Sequence, residues 1–515
     1  MLTLDKSHDP ERNAELLNQI SGKTLDVKAA VEETIELFKR NQIRIVPPEP
    51  GKTQWKESLH RLAAEPAEIQ EPVPLSVDAY GNVYPDWKEA LDEEYRRLQS
   101  NITREVNILD YGAVGDGKTD CTAAFQKALG PGKVKVIVPE GVFVTKGIRL
   151  PSWTWLIGKG QNTTIKLHDL ADKGRRLITN ASHWRGNHHI CVQGLNLDWN
   201  VERLGAAEKT STWGNHSSCL TYANVTYGWV KQVNAINAGL HGFDITSTLY
   251  NYAGDGWRAR RGSKFVWLDG LTAFGFGDDG ITTHHSNYIW ISNCHMCDPS
   301  GRAHQKGFSN SNGIEVDDGS RHVLLVNNST ARCFGGVEIK AHQNSSAASN
   351  VQIVGHLSVH DNRSFNFRHI GHHKMTDSES RTARNILAAN LAAIAPIPTE
   401  LYKGSTPRGL VVSAYQNVVI NYITFIGDPE WDFQGQPIAA IQYRARNVLL
   451  NHVAFKNFKN AGAGIKVFGG DNRADSVHIR NVYHDFPDPE ATVQIGSGVQ
   501  TINIENISHI VNNKN

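Results

Sequence analysis

The chain repeats a short pattern in which a glycine is followed by alternating apolar and polar residues. Between positions 241 and 340 the pattern reads Gly242-Phe-Asp-Ile, Gly280-Ile-Thr-Thr, Gly313-Ile-Glu-Val and Gly336-Val-Glu-Ile. Alternation with a period of two predicts β-strands that bury one face. Matching segments begin again at positions 409, 438, 464 and 492. Irregular repeats of this length predict a solenoid of stacked coils.

The polar positions of the four segments predict a column of acidic residues on the outer face of the solenoid. Equivalent positions carry Asp244, Thr282, Glu315 and Glu338. Residues two positions further along share this face, and they are Thr246, His284, Asp317 and Lys340. Neighbouring coils lie about 4.8 Å apart. Glu315 and Glu338 would therefore be one coil apart, and Asp244 would be two coils from Glu315. Because like charges side by side destabilise a sheet, we interpret this exposed column as functional.

A second series of strands ends at or just before an asparagine. Its members are Asn293, Asn327, Asn421, Asn451, Asn481 and Asn506. Asparagine at one repeated position predicts a ladder inside the turns, because its side chain can bond to the next coil. The longer intervals between repeats, at 250–263, 299–312 and 375–408, predict loops that wall a groove.

Residues 1–104 are rich in Glu, Lys, Arg and Leu and poor in glycine, which separates them from the repeats. Helical spacing covers Asp26–Asn41, with Asp26 as its N-cap, and Asp86–Asn101. A Pro/Glu-rich linker containing Pro47-Pro-Glu-Pro lies between them. The stripe of the second helix is Trp87, Leu91, Tyr95, Leu98 and Ile102. This stripe predicts either a helix lying on its own domain or a coiled coil, and the latter would make 1–104 an attachment and oligomerisation segment.

Composition narrows the function classes. The formal net charge of +1 implies no bulk attraction to nucleic acid or to a membrane surface. The six cysteines are scattered, so no disulfide framework is predicted. The first residues lack the apolar region of a secretory signal, and no apolar run approaches a membrane span. We therefore expect synthesis in the cytoplasm without a signal peptide and without membrane insertion.

The segment that follows residue 104 carries a distinctive motif. Asp110-Tyr-Gly-Ala-Val-Gly-Asp-Gly-Lys-Thr-Asp-Cys-Thr-Ala-Ala-Phe resembles the start of the pectate-lyase-like superfamily, with Cys121 where an aspartate is usual. The superfamily includes polygalacturonases, bacteriophage tailspikes and pre-neck appendages, and alginate epimerases. The resemblance implies an all-β fold, a single-stranded right-handed parallel β-helix over 105–515. Its N-terminal cap would cover about 105–160, with an amphipathic helix as a lid, and its catalytic coils about 240–345.

Polygalacturonase motifs are matched only in part. Gly277-Asp278-Asp279 is similar to the second motif of that family, and Glu338-Ile339-Lys340 keeps the lysine of the fourth. The expected aspartate of the first motif is lost at 239–242, and the expected histidine of the third is lost at 311–313. The resemblance implies that Asp278 and Asp279 are acid and base. The chemistry of the outer column adds further catalytic candidates, namely Asp244, Glu315, Asp317 and Glu338.

A second likeness favours a different reaction. His241-Gly-Phe-Asp244 is similar to a motif of alginate epimerases, with His241 in place of tyrosine. His241 or His284 would then remove a proton, and Lys340 or the basic run beginning at Arg258 would neutralise a uronate carboxylate. Trp257 is a candidate for stacking on a sugar ring. No spacing requires a metal or other cofactor, although carboxylate-rich turns are compatible with calcium.

Taken together, the sequence predicts a phage or prophage tailspike-like depolymerase that hydrolyses a bacterial surface polysaccharide with paired carboxylates. Two alternatives stay open: a polysaccharide lyase or uronate epimerase on the same scaffold, and a glycan-binding adhesin without activity. The predicted partners are the surface polysaccharide and virion tail or baseplate proteins, bound through the N-terminus. The resemblance also implies a homotrimer that acts at the host cell surface.

Overall fold

The computed structural model describes residues 2–42, 63–68, 70–206, 209–212, 216–249, 254–371 and 380–510. The predicted Pro47-Pro-Glu-Pro linker lies outside these ranges. The described chain forms the expected right-handed parallel β-helix with a small helical N-terminal segment. No helix in the described ranges is long and apolar enough to cross a membrane.

One face of every coil contributes to a twelve-strand sheet, paired in parallel throughout. Its strands are Ile148–Leu150, Ile178–Asn180, Leu220–Ala223, Phe243–Thr246, Ile281–His284, Asn312–Asp317, Gly335–Ala341, Arg363–His369, Arg408–Ser413, Pro437–Gln442, Ala463–Val467 and Val493–Ile495. The four glycine-led segments are neighbours in this sheet, as predicted. The strand Arg363–His369 lacks the leading glycine and fills the long interval between positions 336 and 409.

The remaining faces form a nineteen-strand sheet. Its strands are Arg104–Asn107, Asp116–Asp120, Val134–Ile137, Gly141–Thr145, Thr154–Ile157, Thr163–Leu167, Asn187–Asp198, Val225–Ile236, Lys264–Asp269, Thr272–Phe274, Asn287–Ser292, His295–Cys297, Arg321–Ala331, Ser349–Val359, Arg384–Ile394, Gln416–Ile426, Arg446–Lys456, Asp475–His484 and Ile502–His509. The prediction of one loop over 375–408 is therefore wrong, because Arg384–Ile394 is a full strand of this sheet.

Asparagines bend these strands and join them. Asn481 adopts a left-handed φ of 54°, a conformation that asparagine tolerates better than most residues.

 The side-chain amide of Asn481 donates to Asn451 (2.8 Å), and that of Asn451 donates to Asn421 (2.9 Å). The predicted ladder is confirmed, with the difference that side chains bond to each other rather than to the backbone of the next coil.

The interior of the coil is filled by the apolar positions of the repeat. The residues predicted to share the inner face are all fully buried, and they are Phe243, Ile245, Ile281, Ile314, Val316, Val337 and Ile339. The helix Thr122–Leu129 closes the N-terminal end of the coil, as predicted, because Phe125 and Leu129 pack in the same apolar cluster. Burial of this row fixes which side chains point outward, since the side-chain period of a strand is two.

The N-terminal segment packs along the outside of the nineteen-strand sheet. Its helices are Asn13–Ser21, Val27–Asn41 and Lys88–Asn101. The sequence patterns predict the second and third of these helices but not the first. Asp26 caps the second helix by accepting from the Ala29 amide. Two small antiparallel pairs complete the segment: Leu75–Val77 with Val83–Pro85, and Ala64–Pro66 with Trp257–Ala259.

The apolar stripe of the helix Lys88–Asn101 decides between the two predicted arrangements. Leu91 and Leu98 are buried and pack against Cys191 and Trp229 of the β-helix. Within the described chain this stripe is covered by its own domain, so it is not available for a coiled coil.

Candidate functional site

The outer column has the register that the repeat predicts. Across five neighbouring strands the sheet aligns Asp244, Thr282, Glu315, Glu338 and Asn366. The adjacent row aligns His284 with Asp317 and Lys340 with Arg368. Glu315 and Glu338 are thus one coil apart, and Asp244 is two coils from Glu315, as expected.

The column is not exposed, which corrects the sequence-based expectation. Asp244, Glu338 and Asp317 retain 0–1% of their accessible surface. Glu315, His284 and Lys340 retain 3–4%. Buried charges are stable only when they are paired and hydrogen-bonded. Ion pairs join the two rows, although Glu338 Oε2 has no hydrogen-bond partner among the described residues.

Loops line the edge at which the strands of the twelve-strand sheet begin. Residues 209–212 bond to residues 302–303, through Thr210 N to Arg302 O (2.8 Å) and Ser211 Oγ to Ala303 O (2.6 Å). Residues 307–309 bond in turn to residues 401–403. These segments form one continuous wall beside the acidic rows.

The insertion after Phe243–Thr246 forms the opposite wall. Gly254 N donates to Asn344 O (2.9 Å), and the carboxylate of Asp255 accepts from Arg381 N and from the Thr382 hydroxyl. Loops of the long repeat intervals therefore border the outer face of the twelve-strand sheet on two sides.

At the first edge, two consecutive aspartates meet two histidines. His241 Nε2 lies 3.6 Å from Asp278 Oδ2 and 3.6 Å from Asp279 Oδ2. His304 Nε2 lies 2.7 Å from Asp278 Oδ1. The Asp278 side chain keeps 15% of its surface exposed and the His304 side chain 33%, whereas Asp279 keeps 2%. Asp278 and His304 therefore form the accessible rim of this group.

An asparagine links this pair of aspartates to the acidic column. Asn312 donates from its backbone N and from Nδ2 to Asp279 Oδ1, both at 3.0 Å. The same Nδ2 donates to Glu315 Oε2 at 2.8 Å. Glu315 also accepts from the Thr282 hydroxyl at 3.2 Å. Asn312 Nδ2 thus donates hydrogen bonds to both Asp279 and Glu315 and links the two side chains.

A buried lysine neutralises the centre of the group. Lys340 Nζ lies 2.9 Å from Glu315 Oε2 and 3.5 Å from Asp317 Oδ2. His284 bridges Asp317 (Nε2 to Oδ2, 3.7 Å) and Asp244 (Nδ1 to Oδ1, 3.6 Å). His241 Nδ1 lies 4.0 Å from Asp244 Oδ2, so these contacts close into a ring. We call this group the acid–base ring, and its members are His241, Asp244, Asp278, Asp279, His284, Asn312, Glu315, Asp317 and Lys340.

The sequence reasoning misses five residues of the site, which are Arg368, His304, His342, Asn312 and Asp318. Arg368 pairs with Glu338, and His342 Nδ1 lies 3.0 Å from Asp318 Oδ2 and 3.8 Å from Asp317 Oδ2. The signal for Arg368 is the alternation Phe365-Asn-Phe-Arg368, which continues the repeat without a glycine. No local signal identifies His304 or His342, because both lie in loops.

The two consecutive aspartates differ in protonation. Burial and the charges of Asp278 and Glu315 raise the pKa of Asp279 well above its ordinary value. Burial alone would raise the pKa of Asp278 as well, but the charges and hydrogen bonds of His304 and His241 outweigh it and lower that pKa. Neighbouring carboxylates with pKa values pushed apart are the arrangement that supplies one acid and one base.

The cations of the group are held in their charged form. Burial opposes the charge of Lys340, but Asp317, Glu315 and Glu338 outweigh it and raise its pKa well above the ordinary value. Burial likewise opposes the charge of His342, but its hydrogen bond to Asp318 and the charge of Asp317 raise that pKa to about 9. The pKa values of His284 and His304 are also raised, against burial, by their aspartate partners.

The raised pKa of His342 predicts a loss of stability in alkali. A group whose pKa is raised on folding stabilises the protein fully below its unfolded value of about 6.5. That contribution disappears as the pH rises through about 9. We expect the unfolding midpoint of the His342→Gln variant to fall less between pH 7 and pH 10 than that of the unchanged protein. His478→Gln, on the nineteen-strand sheet, is the control, and equal declines in all three proteins would contradict the assignment.

Two of the predicted binding residues are not part of the ring. Trp257 and Arg258 lie in the short strand that pairs with Ala64–Pro66. Arg258 is buried, donates to the backbone oxygen of His285, and lies 3.7 Å from Glu65. This strand pairs with the N-terminal segment, so Trp257 and Arg258 lie apart from the acid–base ring, and their role in substrate binding stays a prediction.

Among the described residues, three sets of side chains have the composition and spacing of metal ligands, and the last two share Asp317. They are His241 with Asp278 and Asp279, His284 with Glu315 and Asp317, and Asp317 with Asp318 and His342, each with ligand atoms within 4.8 Å of one another. Lys340 contacts two members of the second set, so its ammonium group already supplies a positive charge there. Carboxylate and imidazole ligands suit several divalent ions, and the geometry selects none of them.

The chain is similar to proteins of phages and to one described family. Residues 105–338 match the family described as rhamnogalacturonase A/epimerase, pectate lyase-like. A phage-related protein of Bacillus subtilis (strain 168) is 48% identical over 440 residues, which cover 85% of this chain and 54% of that protein. The pre-neck appendage protein of Bacillus phage phi29 is 44% identical over 411 residues, covering 79% and 47%.

Solved structures agree with these matches. The crystal structure of an N-terminal fragment of bacteriophage phi29 gene product 12 is 39% identical with a TM-score of 0.72, and the match covers 82% of this chain and 69% of that one. The A-module of the mannuronan C-5 epimerase AlgE4 from Azotobacter vinelandii is 17% identical with a TM-score of 0.52, covering 79% and 100%. The second likeness shows the fold alone. This chain spans about half the length of the curated relatives that it matches.

Proposed function

The chain belongs to the pectate-lyase-like family and, within it, to the phage pre-neck appendage proteins, and from this we propose that it is an appendage depolymerase. Its substrate would be a bacterial surface polysaccharide, bound in the groove over the twelve-strand sheet. The proposed reaction is hydrolysis of a glycosidic bond by carboxylates of the acid–base ring.

The observation that carries this proposal is the position of two consecutive aspartates against His241 and His304, with Asp278 at the accessible rim and Asp279 buried behind it. Their pKa values are displaced in opposite directions, which supports this assignment. Asp279 is protonated and can donate to the oxygen of the bond that breaks. Asp278 is ionised and partly exposed, and can take a proton from the attacking water. The carbon–oxygen bond breaks, the water oxygen joins the anomeric carbon, and each cleavage creates one reducing end.

The remaining members of the ring would position this pair. Asn312 fixes Asp279 through two hydrogen bonds to one oxygen, leaving the other oxygen on the side of His241. Lys340 offsets the charge of Glu315 and Asp317, so that a cluster of buried carboxylates remains stable. Glu315 and Asp317 would thus support the reaction. Asp244 would complete the ring through His241 and His284, and Glu338 would pair with Arg368 beside it.

A lyase or epimerase is the second candidate, and His241 is the observation in its favour. Its Nε2 contacts two carboxylates and its ring is buried beside the groove, as a positioned base requires. The partly exposed Arg368 could then face a uronate carboxylate. An adhesin that binds glycan without cleaving it is the third candidate.

Incubation of the full chain with a panel of bacterial surface polysaccharides separates these candidates. For the hydrolase we expect new reducing ends that carry one added water by mass spectrometry and no new ultraviolet absorbance. A new unsaturated product that absorbs in the ultraviolet would establish the lyase instead. Binding of a glycan without a change in its mass would establish the adhesin and overturn the enzyme proposal.

We extend the proposal to the assembled particle. The relatives are pre-neck appendage proteins, so we propose that this protein is also part of a virion and acts at the host cell surface. Its N-terminal segment would contact tail or baseplate proteins, and three copies would associate. Sedimentation of the purified protein tests the trimer directly, and a monomer would contradict it.

A further inference from the structure

A cavity lies on the outer face of the twelve-strand sheet, toward the N-terminal end of the β-helix. Its volume is about 780 Å³. The cationic and histidine side chains that line it are Lys146, Arg149, Arg175, Arg176, His183 and His216. Asp172 is the carboxylate among the described lining residues, and it pairs with Arg175 at 3.2 Å. The cavity therefore holds more positive than negative charge.

Two of these arginines have no carboxylate in ion-pair contact among the described residues. Arg149 projects from the strand Ile148–Leu150 into the outer row. Arg176 precedes the next strand, and its Nε atom is buried without a hydrogen-bond partner in the described chain. A buried donor that lacks an acceptor is costly, so a ligand that supplies acceptor oxygens would stabilise this site.

The pKa of the neighbouring His183 is affected by the same excess of positive charge. Burial and the charges of Arg176 and Arg149 lower the pKa of His183 to about 4. His183 is thus neutral at neutral pH, and its Nε2 lies 2.8 Å from the Thr179 hydroxyl. Neutral hydrogen-bonding groups next to two guanidinium groups suit an oxyanion, because arginine binds carboxylate and phosphate through paired N–H donors.

The backbone connects this cavity to the acid–base ring along one row. Leu177 N donates to Ser218 O, Cys219 N to His241 O, and Gly242 N to Asp279 O. The residues that follow one another across the coils are therefore Arg176, Ser218, His241 and Asp279. At about 4.8 Å per coil, Arg176 lies roughly 14 Å from Asp279 along the groove.

We propose that Arg149 and Arg176 form a subsite for an anionic group, a carboxylate or a phosphate, carried by the same polymer that is cleaved at Asp279. This inference rests on the proposed function for the identity of the polymer, but not for the binding of the anion. A polymer laid across the coils would place its anionic group at the arginines and the bond to be cleaved three coils away. The subsite would thereby favour acidic polysaccharides over neutral ones.

Binding of small anions tests the subsite without cleavage. Inorganic phosphate and acetate are titrated separately into the full chain at constant ionic strength set with chloride, and the phosphorus or carbon resonance of the anion is followed. We expect saturable binding that weakens at least tenfold in the Arg149→Gln/Arg176→Gln variant. Arg40→Gln, an exposed arginine on the helix Val27–Asn41, is the matched control and should bind like the unchanged protein.

The outcomes separate this inference from the proposed function. Saturation by phosphate alone or acetate alone identifies the acidic group, and the Asp279→Asn variant should bind it equally well. If the anion binds at the arginines but no glycan is cleaved, the subsite stands and the depolymerase proposal fails. If neither anion binds, or if the double variant binds as tightly as the unchanged protein, the subsite is overturned whatever the enzyme does.

Discussion

Replacing Asp279 with asparagine is expected to lower the cleavage rate by about 10²–10⁴-fold, the usual contribution of a positioned general acid. Asparagine keeps an oxygen that can accept both hydrogen bonds from Asn312, so the local structure should persist. It cannot donate a carboxylic proton, which is the role assigned to Asp279 by its raised pKa. The measurement is the initial rate of reducing-end release from the polysaccharide that the panel identifies.

The controls for this prediction separate chemistry from folding. Asp198→Asn removes a carboxyl of the nineteen-strand sheet whose pKa is also raised by burial, and it should leave the rate unchanged. Glu315→Gln should also lower the cleavage rate strongly, and in both variants glycan binding and oligomer size should stay intact. Full activity in both Asp279→Asn and Glu315→Gln would show that the reaction takes place elsewhere, for example between subunits.

Replacing Lys340 with methionine is expected to destabilise the protein by about 3–5 kcal/mol, because removing one partner leaves buried charges uncompensated. Lys340 retains 4% of its surface, and its partners Glu315 and Asp317 retain 3% and 1%. Methionine preserves most of the side-chain volume, so loss of charge dominates the effect. The measurement is the midpoint of urea-induced unfolding.

A double variant tests the electrostatic cause of this loss. Lys340→Met combined with Glu315→Gln removes one negative charge together with the positive one, and it should recover part of the lost stability. Lys403→Met removes a lysine whose pair with Glu400 is exposed on both sides, and its midpoint should not change. If the double variant is no more stable than Lys340→Met alone, lost packing rather than unpaired charge explains the effect.

Several features of the fold follow directly from local patterns in the sequence. The period of two decides which residues face the interior, so Phe243 and Ile314 are buried and Asp244 and Glu315 point outward. The recurrence of the pattern decides the stacking, so Glu315 aligns with Glu338. The same local logic identifies the cap of the helix Val27–Asn41 and the lid Thr122–Leu129, because capping and amphipathic spacing depend on residues close in the chain.

The location of the candidate site was also predictable, since Asp278 and Asp279 precede a strand of the acidic column. Its membership was predictable only in part. The repeat pattern does not identify Arg368 because its strand lacks the leading glycine. It does not identify His304 because the loop that carries it has no periodic pattern. Trp257 and Arg258 lie apart from the ring because their strand pairs with a segment almost two hundred residues earlier in the chain, which no local pattern indicates.

The sequence by itself determined the solenoid, the register of its coils and the face on which the carboxylates lie, because each depends on periodicity. Only the tertiary structure decided that the carboxylates are buried, that Lys340 and the histidines close them into a ring, and that the pKa values of Asp278 and Asp279 are displaced in opposite directions. These properties depend on desolvation and on contacts between distant coils and loops. The spacing of residues along the chain carries no information about either.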